Sequence, residues 1–183
     1  MNYNVLKTFA SKNSVVNVII ETPKGSRNKY ALNPDTQLFE LNKILPVGAM
    51  FPFNFGFIPH TLAGDGDPLD IIVIMDEPAF TGCHLKARVL GVIEATQEEN
   101  GKPVRNDRII GVPEDDEIEN DLRTIKDLNK NVVEEIENFF VSYHAQRGVK
   151  FKPLGTGGPK AALQIIKDAQ QYLNGNSRLK RGR

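Results

Sequence analysis

A turn of three carboxylates directly before an apolar run constrains this chain more than any other stretch of its sequence. Residues 65–70 read DGDPLD, so Asp65, Asp67 and Asp70 stand within six positions, beside a glycine that permits a tight turn and a proline that excludes regular helix. Residues 71–75 are all apolar and predict a buried strand. Such a strand would hold the acidic turn against the core, where a metal site can be placed rigidly.

Three neighbouring carboxylates repel one another unless a hard cation, basic side chains or bulk water stabilises them. An EF-hand calcium loop is one way to hold a cation, but counting from Asp65 puts Leu69 at its fifth position and Asp70 at its sixth, where that motif needs a glycine. A strand also follows where the EF-hand has a helix. A different metal site and a water-exposed acidic turn remain as the two interpretations of this stretch.

The overall composition excludes several function classes. The 183 residues are 40% hydrophobic and 25% charged, which is typical of a globular domain with a sizeable core. Because 23 basic residues balance 23 acidic ones, no net field attracts nucleic acid or a membrane surface. The single Cys83 excludes an internal disulfide and fits a reducing compartment, and no apolar stretch approaches the roughly 20 residues of a membrane-spanning helix. We therefore predict a cytoplasmic protein that binds neither nucleic acid nor membranes.

Short strands come first along the chain, and helices follow. Apolar and β-branched residues between turn signals predict strands at 15–21, 29–32, 38–41, 71–75, 81–95 and 108–112. Helical spacing of apolar residues predicts one helix over 131–147 and another that begins at Pro159 and ends at Gly175. This order predicts an α+β, mainly β protein in which two or more C-terminal helices flank a small closed barrel. One domain is expected over residues 1–177, with a basic, disordered tail over 178–183.

Phenylalanines occupy every second position from 51 to 57. Side chains two residues apart lie on the same side of an extended segment, so all four rings are expected on one side. A core face is the favoured interpretation, and an aromatic wall of a substrate site is the alternative.

Several short segments carry a resemblance to a known family. They are VIIE at 18–21, KY at 29–30, AMFPFNFGFIPHT at 49–61, DGDPLDI at 65–71, GVP at 111–113, IKDLN at 125–129 and FFVSY at 139–143. In order and content these segments resemble the soluble family I inorganic pyrophosphatases, whose signature DGDPLDI matches at every specified position. The resemblance implies a five-stranded OB-like barrel with flanking helices, hydrolysis of pyrophosphate with Mg²⁺ or a substitute such as Mn²⁺ or Zn²⁺, and assembly into a homohexamer.

The resemblance also implies roles for individual residues. Asp65 and Asp70 match ligands of the metal pair that binds the attacking water, and Asp67 matches the general base. The residues that match phosphate-binding positions are Lys29, Lys43, Arg108 and Tyr143, and Glu21 matches an acid at the edge of the substrate site. We therefore expect basic side chains to neutralise the phosphates while carboxylates hold the metal ions.

The chain departs from the family pattern at several of these places. Ala31 stands where the family has a second acid, Lys43 stands where arginine is usual, and His144 stands where lysine is usual. Phe51 and Phe55 replace tyrosines. The loss of an acid and of hydroxyl groups leaves a second function open, a catalytically weak relative that binds phosphate or a nucleotide as a regulatory protein. An OB-like nucleic-acid binder is a third, disfavoured by the zero net charge and the acidic centre.

The stretch before Arg108 departs most from the family. When Arg108 is aligned with the family's lysine, Asn106 takes the position of a metal-binding acid. Asp107 is one residue away, and we expect it to serve as a metal ligand through a bulge or a shifted register. Glu98 or Glu99 is expected to replace the remaining acid.

Overall fold

A ring of five strands forms the centre of the fold. The computed structural model describes residues 3–10, 14–99, 101–115 and 121–181. Its strands are β1 (Val15–Thr22), β2 (Asn28–Leu32), β3 (Phe39–Ile44), β4 (Asn54–Phe57), β5 (Asp70–Val73), β6 (His84–Glu99), β7 (Lys102–Arg105), β8 (Arg108–Pro113) and β9 (Phe151–Gly157). The helices are α1 (Lys130–Ala145) and α2 (Pro159–Arg181), and short 3₁₀ turns lie at Tyr3–Val5 and Ile125–Asp127.

The ring closes because β1 pairs antiparallel with both β4 and β6. Between them, β5 pairs antiparallel with β4 and parallel with β8, and β8 pairs antiparallel with β6. β7 and β9 extend from β6, while β2 and β3 form a separate hairpin. The predicted small closed barrel, mainly β and OB-like with flanking helices, is confirmed.

The apolar run after the acidic turn is buried on both faces of β5. Ile71 and Val73 pack in the same cluster as Ile166 of α2, whereas Ile72 packs in the cluster of Phe140 of α1. Because successive strand residues point to opposite faces, the two helices cover opposite faces of this strand. Burial worth about 1.5–3 kcal/mol for each aliphatic side chain holds the end of the acidic turn in place.

Both helices begin at residues that suit a helix start. The side chain of Asn129 accepts a hydrogen bond from the Asn131 amide at 3.0 Å, and Pro159 is the first residue of α2. Along the chain, β9 follows α1 and precedes α2. It was not predicted as a strand, because Pro153 and Gly155 within it are residues that ordinarily form turns.

The predicted end of α2 at Gly175 is wrong, because the helix continues to Arg181. One glycine inside a helix costs only about 1 kcal/mol relative to alanine, so it need not end the helix. α2 therefore covers residues 178–181 of the predicted tail, and residues 182–183 lie outside the described residues. In the described part of the chain, no helix is long and apolar enough to cross a membrane.

Three of the alternating phenylalanines share one environment and the fourth does not. Phe51, Phe53 and Phe55 pack in the hydrophobic cluster that contains Phe140 of α1, whereas Phe57 packs in a separate cluster with Tyr3. Regular strand covers only residues 54–57, so Phe51 and Phe53 lie outside it and strand alternation does not account for the environment that they share with Phe55. Phe51, Phe55 and Phe57 also line the cavity described next, so the core and wall interpretations both hold.

Candidate functional site

A cavity of about 420 Å³ opens where the acidic turn, the strand ends and α1 meet. Its charged lining residues are Glu21, Lys29, Asp65, Asp67, Asp70, Arg108 and Arg147, and its neutral polar ones include Asn42, Gln97, Asn106, Tyr143 and His144. Among the described residues that line a wider depression of about 670 Å³ beside Phe139, Lys24 and Glu135 are the charged ones. The smaller cavity gathers many charges of both signs, so it is the candidate functional site.

Local hydrogen bonds and one buried side chain fix the acidic turn. The Thr61 hydroxyl accepts a hydrogen bond from the Leu69 amide at 2.9 Å, and Leu69 itself is buried. Gly66 has a φ of 91°, a left-handed conformation that glycine adopts without steric cost. The Asp67 amide donates to the Asp65 carboxylate at 3.2 Å. The carboxylates are therefore presented by an ordered turn.

The three carboxylates of this turn lie in different environments. Asp67 is exposed, Asp65 is half-buried, and the side chain of Asp70 is 22% exposed and ion-paired with Arg108. Asp67 can therefore reach water, as a general base must. A simple water-exposed turn does not describe Asp70.

Arg108 connects the acidic turn to β8. Its Nη1 lies 2.6 Å from Asp70 Oδ2 and donates to the Asp107 carbonyl oxygen at 3.1 Å, and its guanidinium lies 4.8 Å from the centre of the Phe140 ring. The residue is only 3% exposed, and its Nε has no hydrogen-bond partner in the described residues. Arg108 is thus a buried cation held by the acidic turn and by an aromatic ring, not a solvated strand end.

Burial dominates the titration of Asp70. It raises the pKa of Asp70 to about 6, against the opposing attraction of Arg108 and Lys29. The charged carboxylate is therefore costly in the absence of a further cation, and a cation bound beside it would stabilise the charged form.

Glu21 and Lys29 form a second ion pair in the cavity. Lys29 Nζ donates to Glu21 Oε2 at 2.9 Å, and the Leu32 amide donates to Glu21 Oε1 at 2.9 Å. The Lys29 ammonium also lies 4.1 Å from the centre of the Phe55 ring. Glu21 thereby positions Lys29 in the cavity wall. Ala31 lines the same cavity and supplies no carboxylate there.

Lys43 lies behind Tyr143 and outside the cavity lining. Its ammonium is 4.9 Å from the centre of the Tyr143 ring and has no hydrogen-bond partner among the described residues. Burial, and secondly the charge of Arg147, lower the pKa of Lys43. Tyr143 and Arg147 line the cavity within hydrogen-bonding reach of each other, and burial raises the pKa of Tyr143. This end of the cavity is therefore suited to an anion.

His144 supplies no cation at the place where the resemblance expects a lysine. Its Nδ1 lies 2.9 Å from the Phe140 carbonyl oxygen, and its ring stacks on Phe151 at 4.7 Å. Because a carbonyl oxygen only accepts hydrogen bonds, Nδ1 carries the proton of the neutral ring. Burial lowers the pKa of His144 to about 4, and the nearby charge of Arg108 adds to this effect.

The structure does not bring Asp107 into the cavity. Its carboxylate pairs with Arg105 Nε at 2.7 Å and accepts a hydrogen bond from the Ala95 amide at 3.0 Å. Residues 106–108 keep the alternation of an extended chain, so Asn106 and Arg108 line the cavity and Asp107 points to the other face. The bulge or register shift that would turn Asp107 inwards does not occur, and its expected role as a metal ligand is not supported.

Gln97, not a glutamate, lines the cavity beside Asn106. Asn106 Nδ2 donates to Gln97 Oε1 at 2.6 Å. Glu98 is exposed and outside the lining, and the side chain of Glu99 lies outside the described residues. The sequence did contain a signal for Gln97, because a hairpin around Gly101 brings this part of β6 back against β7 and the residues that follow.

Arg147 is a charged lining residue that was not among the residues expected at the site. It stands four positions after Tyr143, and residues four apart lie on the same side of a helix. That spacing was the available signal.

The carboxylates of the turn fit a hard divalent cation by their chemistry. Mg²⁺ is usually held by one or two carboxylates together with waters and phosphate oxygens, and seldom by a complete protein cage. Within the described ranges, no three acidic, histidine or cysteine side chains form such a cage. The donor set therefore fits a cation that shares its ligands with water and a phosphate compound.

Known proteins similar to this chain are inorganic pyrophosphatases. The family model described as inorganic pyrophosphatase matches residues 18–174. The inorganic pyrophosphatase of Geobacillus stearothermophilus is 38% identical over 169 residues, which cover 91% of this chain and 98% of that protein. That of Synechocystis sp. is 38% identical over 157 residues, covering 86% and 90%. The crystal structure of inorganic pyrophosphatase from Thermus thermophilus matches with a TM-score of 0.86 and 32% identity, over 95% of this chain and 99% of that one.

Proposed function

Because this chain belongs to the inorganic pyrophosphatase family, we propose that it hydrolyses inorganic pyrophosphate to two phosphates with a divalent cation, and that the cation is Mg²⁺, with Mn²⁺ or Zn²⁺ as substitutes. The observation that carries this proposal is the single cavity whose lining includes Asp65, Asp67 and Asp70 together with Lys29 and Arg108. Carboxylates bind hard cations, and basic side chains bind phosphate oxygens, so both parts of a metal-bound pyrophosphate have partners there.

Asp67 is the proposed general base. The oxygen of a water molecule bonds to one phosphorus, the bond from that phosphorus to the bridging oxygen breaks, and its electron pair leaves with the second phosphate. One proton of the water passes to the exposed Asp67 carboxylate, and the other stays on the new phosphate oxygen. A divalent cation, when bound, supplies positive charge and acidifies water that it binds. Asp65 and Asp70 are its proposed ligands.

Basic side chains are proposed to bind the two phosphates. Lys29 is held by Glu21, and Arg108 is held by its ion pair with the acidic turn. Tyr143 lines the cavity, whereas the Lys43 ammonium lies behind its ring and outside the lining, so the expected direct contact of Lys43 with phosphate is not part of the proposal. Because these groups are fixed before the substrate arrives, little reorganisation is needed when charge moves to the leaving phosphate.

Phosphate release from pyrophosphate by the purified chain tests this function. We expect release that requires Mg²⁺, stops on chelation and falls roughly 10²–10⁴-fold in Asp67→Asn, the usual effect of losing a general base. Asp76→Asn is the matched control, because Asp76 is an exposed carboxylate outside the cavity lining and should leave the rate unchanged. Repeating the assay with Mn²⁺ and Zn²⁺ determines the metal preference. A folded chain that releases no phosphate with any of the three cations would overturn the proposal.

A regulatory protein that binds phosphate or a nucleotide without turnover is not favoured. The acidic turn keeps all three carboxylates, and the proposed base is exposed to water. Ala31 and Asn106 alter other parts of the cavity lining and leave the base in place. Binding of pyrophosphate without phosphate release would favour the regulatory role instead.

A homo-oligomer is part of the proposal, with the hexamer implied by the family resemblance. Five large apolar side chains within residues 38–50 are between 53% and 88% exposed: Leu38, Leu41, Ile44, Val47 and Met50. They lie on and just after the β2–β3 hairpin. Contiguous exposed apolar side chains commonly mark protein interfaces, which supports self-association through this hairpin. A cytoplasmic location stays a prediction from composition.

A further inference from the structure

We propose that Gln97 and Asn106 form an amide pair that positions Arg108 and keeps the hairpin wall of the cavity free of metal ligands, so that a guanidinium binds phosphate directly there. The hairpin wall is the part of the cavity lining formed by Gln97, Asn106 and Arg108, at the base of the β6–β7 hairpin. The inference rests on the proposed function for the identity of the anion.

The amide of Asn106 is held at both ends. Asn106 is 5% exposed, its Nδ2 donates to Gln97 Oε1 at 2.6 Å, and its Oδ1 accepts from Arg108 Nη1. Since a guanidinium has only donors, the amide oxygen must face Arg108 and the amide nitrogen must face Gln97. The same Nη1 lies 2.6 Å from Asp70 Oδ2. A continuous chain of polar contacts therefore links Gln97 to the acidic turn.

The hairpin wall has no carboxylate in the described residues. The neighbouring acids do not reach it, because Asp107 pairs with Arg105 on the other face and Glu98 lies outside the lining. Amide oxygens are neutral, and a hard cation gains less charge stabilisation from them than from carboxylates. The protein ligands available to a cation near Arg108 are therefore those of the acidic turn.

Neutral partners also leave the charge of Arg108 available to phosphate. Carboxylates at positions 97 and 106 would add negative charge next to the guanidinium and compete with the substrate for it. Arg108 itself lines the cavity. Charge-assisted hydrogen bonds between a guanidinium and phosphate oxygens are the strong ones.

Counting Mn²⁺ ions bound to the full chain without substrate tests the metal part of the inference. In an electron paramagnetic resonance titration, the double variant Gln97→Glu, Asn106→Asp should bind at least one more equivalent of Mn²⁺ than the wild type, because it gains two carboxylates on the hairpin wall. Gln171→Glu is the control, since it adds a like charge on an exposed position of α2 and should leave the count unchanged. An unchanged count in the double variant overturns the inference. If circular dichroism finds the double variant unfolded, the half-buried Gln97→Glu alone takes its place, with the same expected gain.

A double-mutant cycle on pyrophosphate hydrolysis tests the positioning role. Asn106→Ala should lower kcat/KM roughly 10- to 100-fold, mainly by raising KM, because a displaced Arg108 guanidinium binds phosphate more weakly. In an Arg108→Ala background the same change should have little further effect, since Asn106 acts through Arg108. Losses that add in the double variant would overturn the positioning role.

The two tests separate this inference from the proposed function. An unchanged Mn²⁺ count in a chain that hydrolyses pyrophosphate refutes the inference alone. A gain of Mn²⁺ in the double variant of a chain that does not hydrolyse pyrophosphate refutes the proposed function alone.

Discussion

The buried His144 should make the stability of this chain depend on pH. Burial lowers its pKa to about 4 in the folded state, from 6.5 for an unperturbed histidine. Between these two values the unfolded chain binds more protons at this residue, so its contribution makes the free energy of unfolding fall as the pH falls. Compared with neutral pH, the contribution of His144 to the free energy of unfolding is lower by about 2 kcal/mol at about pH 5. It is lower by roughly 3 kcal/mol once the pH passes below the pKa of the folded state.

The experiment compares the wild type with His144→Gln and His144→Phe by chemical denaturation between about pH 7.5 and about pH 5. Asp70 contributes with the opposite sign, because its pKa is raised to about 6 and the stability it gives at low pH is lost as the pH rises through that value. Subtracting the free energy of unfolding of the variant from that of the wild type at each pH removes the Asp70 contribution, because both proteins contain Asp70. The difference in free energy of unfolding should fall by about 2 kcal/mol over this range for both replacements. A difference constant to within about 0.5 kcal/mol would refute the lowered pKa.

Arg108→Ala should reduce kcat/KM for pyrophosphate and lower the free energy of unfolding by about 3 kcal/mol, because Asp70 loses its buried partner. Steady-state kinetics and denaturation measure the two effects, and unchanged stability would contradict a buried ion pair. Gly56→Ala should lower the free energy of unfolding by about 3 kcal/mol or more, because a Cβ there would lie 2.1 Å from the Ile19 carbonyl oxygen. An unchanged denaturation midpoint would show that β1 and β4 can separate at little cost. Val47→Asp places a charge on the most exposed apolar side chain of the proposed interface, and light scattering should find a smaller assembly; an unaltered mass would exclude this surface.

The acidic turn and the strand after it could be predicted because their determinants are local. Gly66 and Pro68 dictate a turn, and the apolar run from Ile71 can be buried only as a strand or helix core. The prediction that the turn carboxylates share one site with Lys29 and Arg108 came from the family resemblance, and the cavity lining agrees with this prediction.

Side-chain direction near the β6–β7 hairpin could not be predicted in the same way. Asp107 and Glu98 are acids next to the cavity, but strand alternation turns Asp107 away and places Gln97 inside. Counting charges in the sequence cannot tell which of two neighbouring residues points inwards. The length of α2 was likewise beyond local signals, because a single glycine such as Gly175 costs a helix only about 1 kcal/mol relative to alanine and does not by itself end it.

β6 is bonded to four other strands, β1, β7, β8 and β9. β7 and β8 follow it closely along the chain, whereas β1 and β9 are distant in sequence. Its partners range from Val15 on β1 to Gly157 on β9, so the pairings with these two strands can form only after long segments of chain have come together. The walls of the cavity come from an equally wide span, from Glu21 to Arg147. The complete lining of this cavity therefore exists only once distant parts of the chain have come together and the ring has closed.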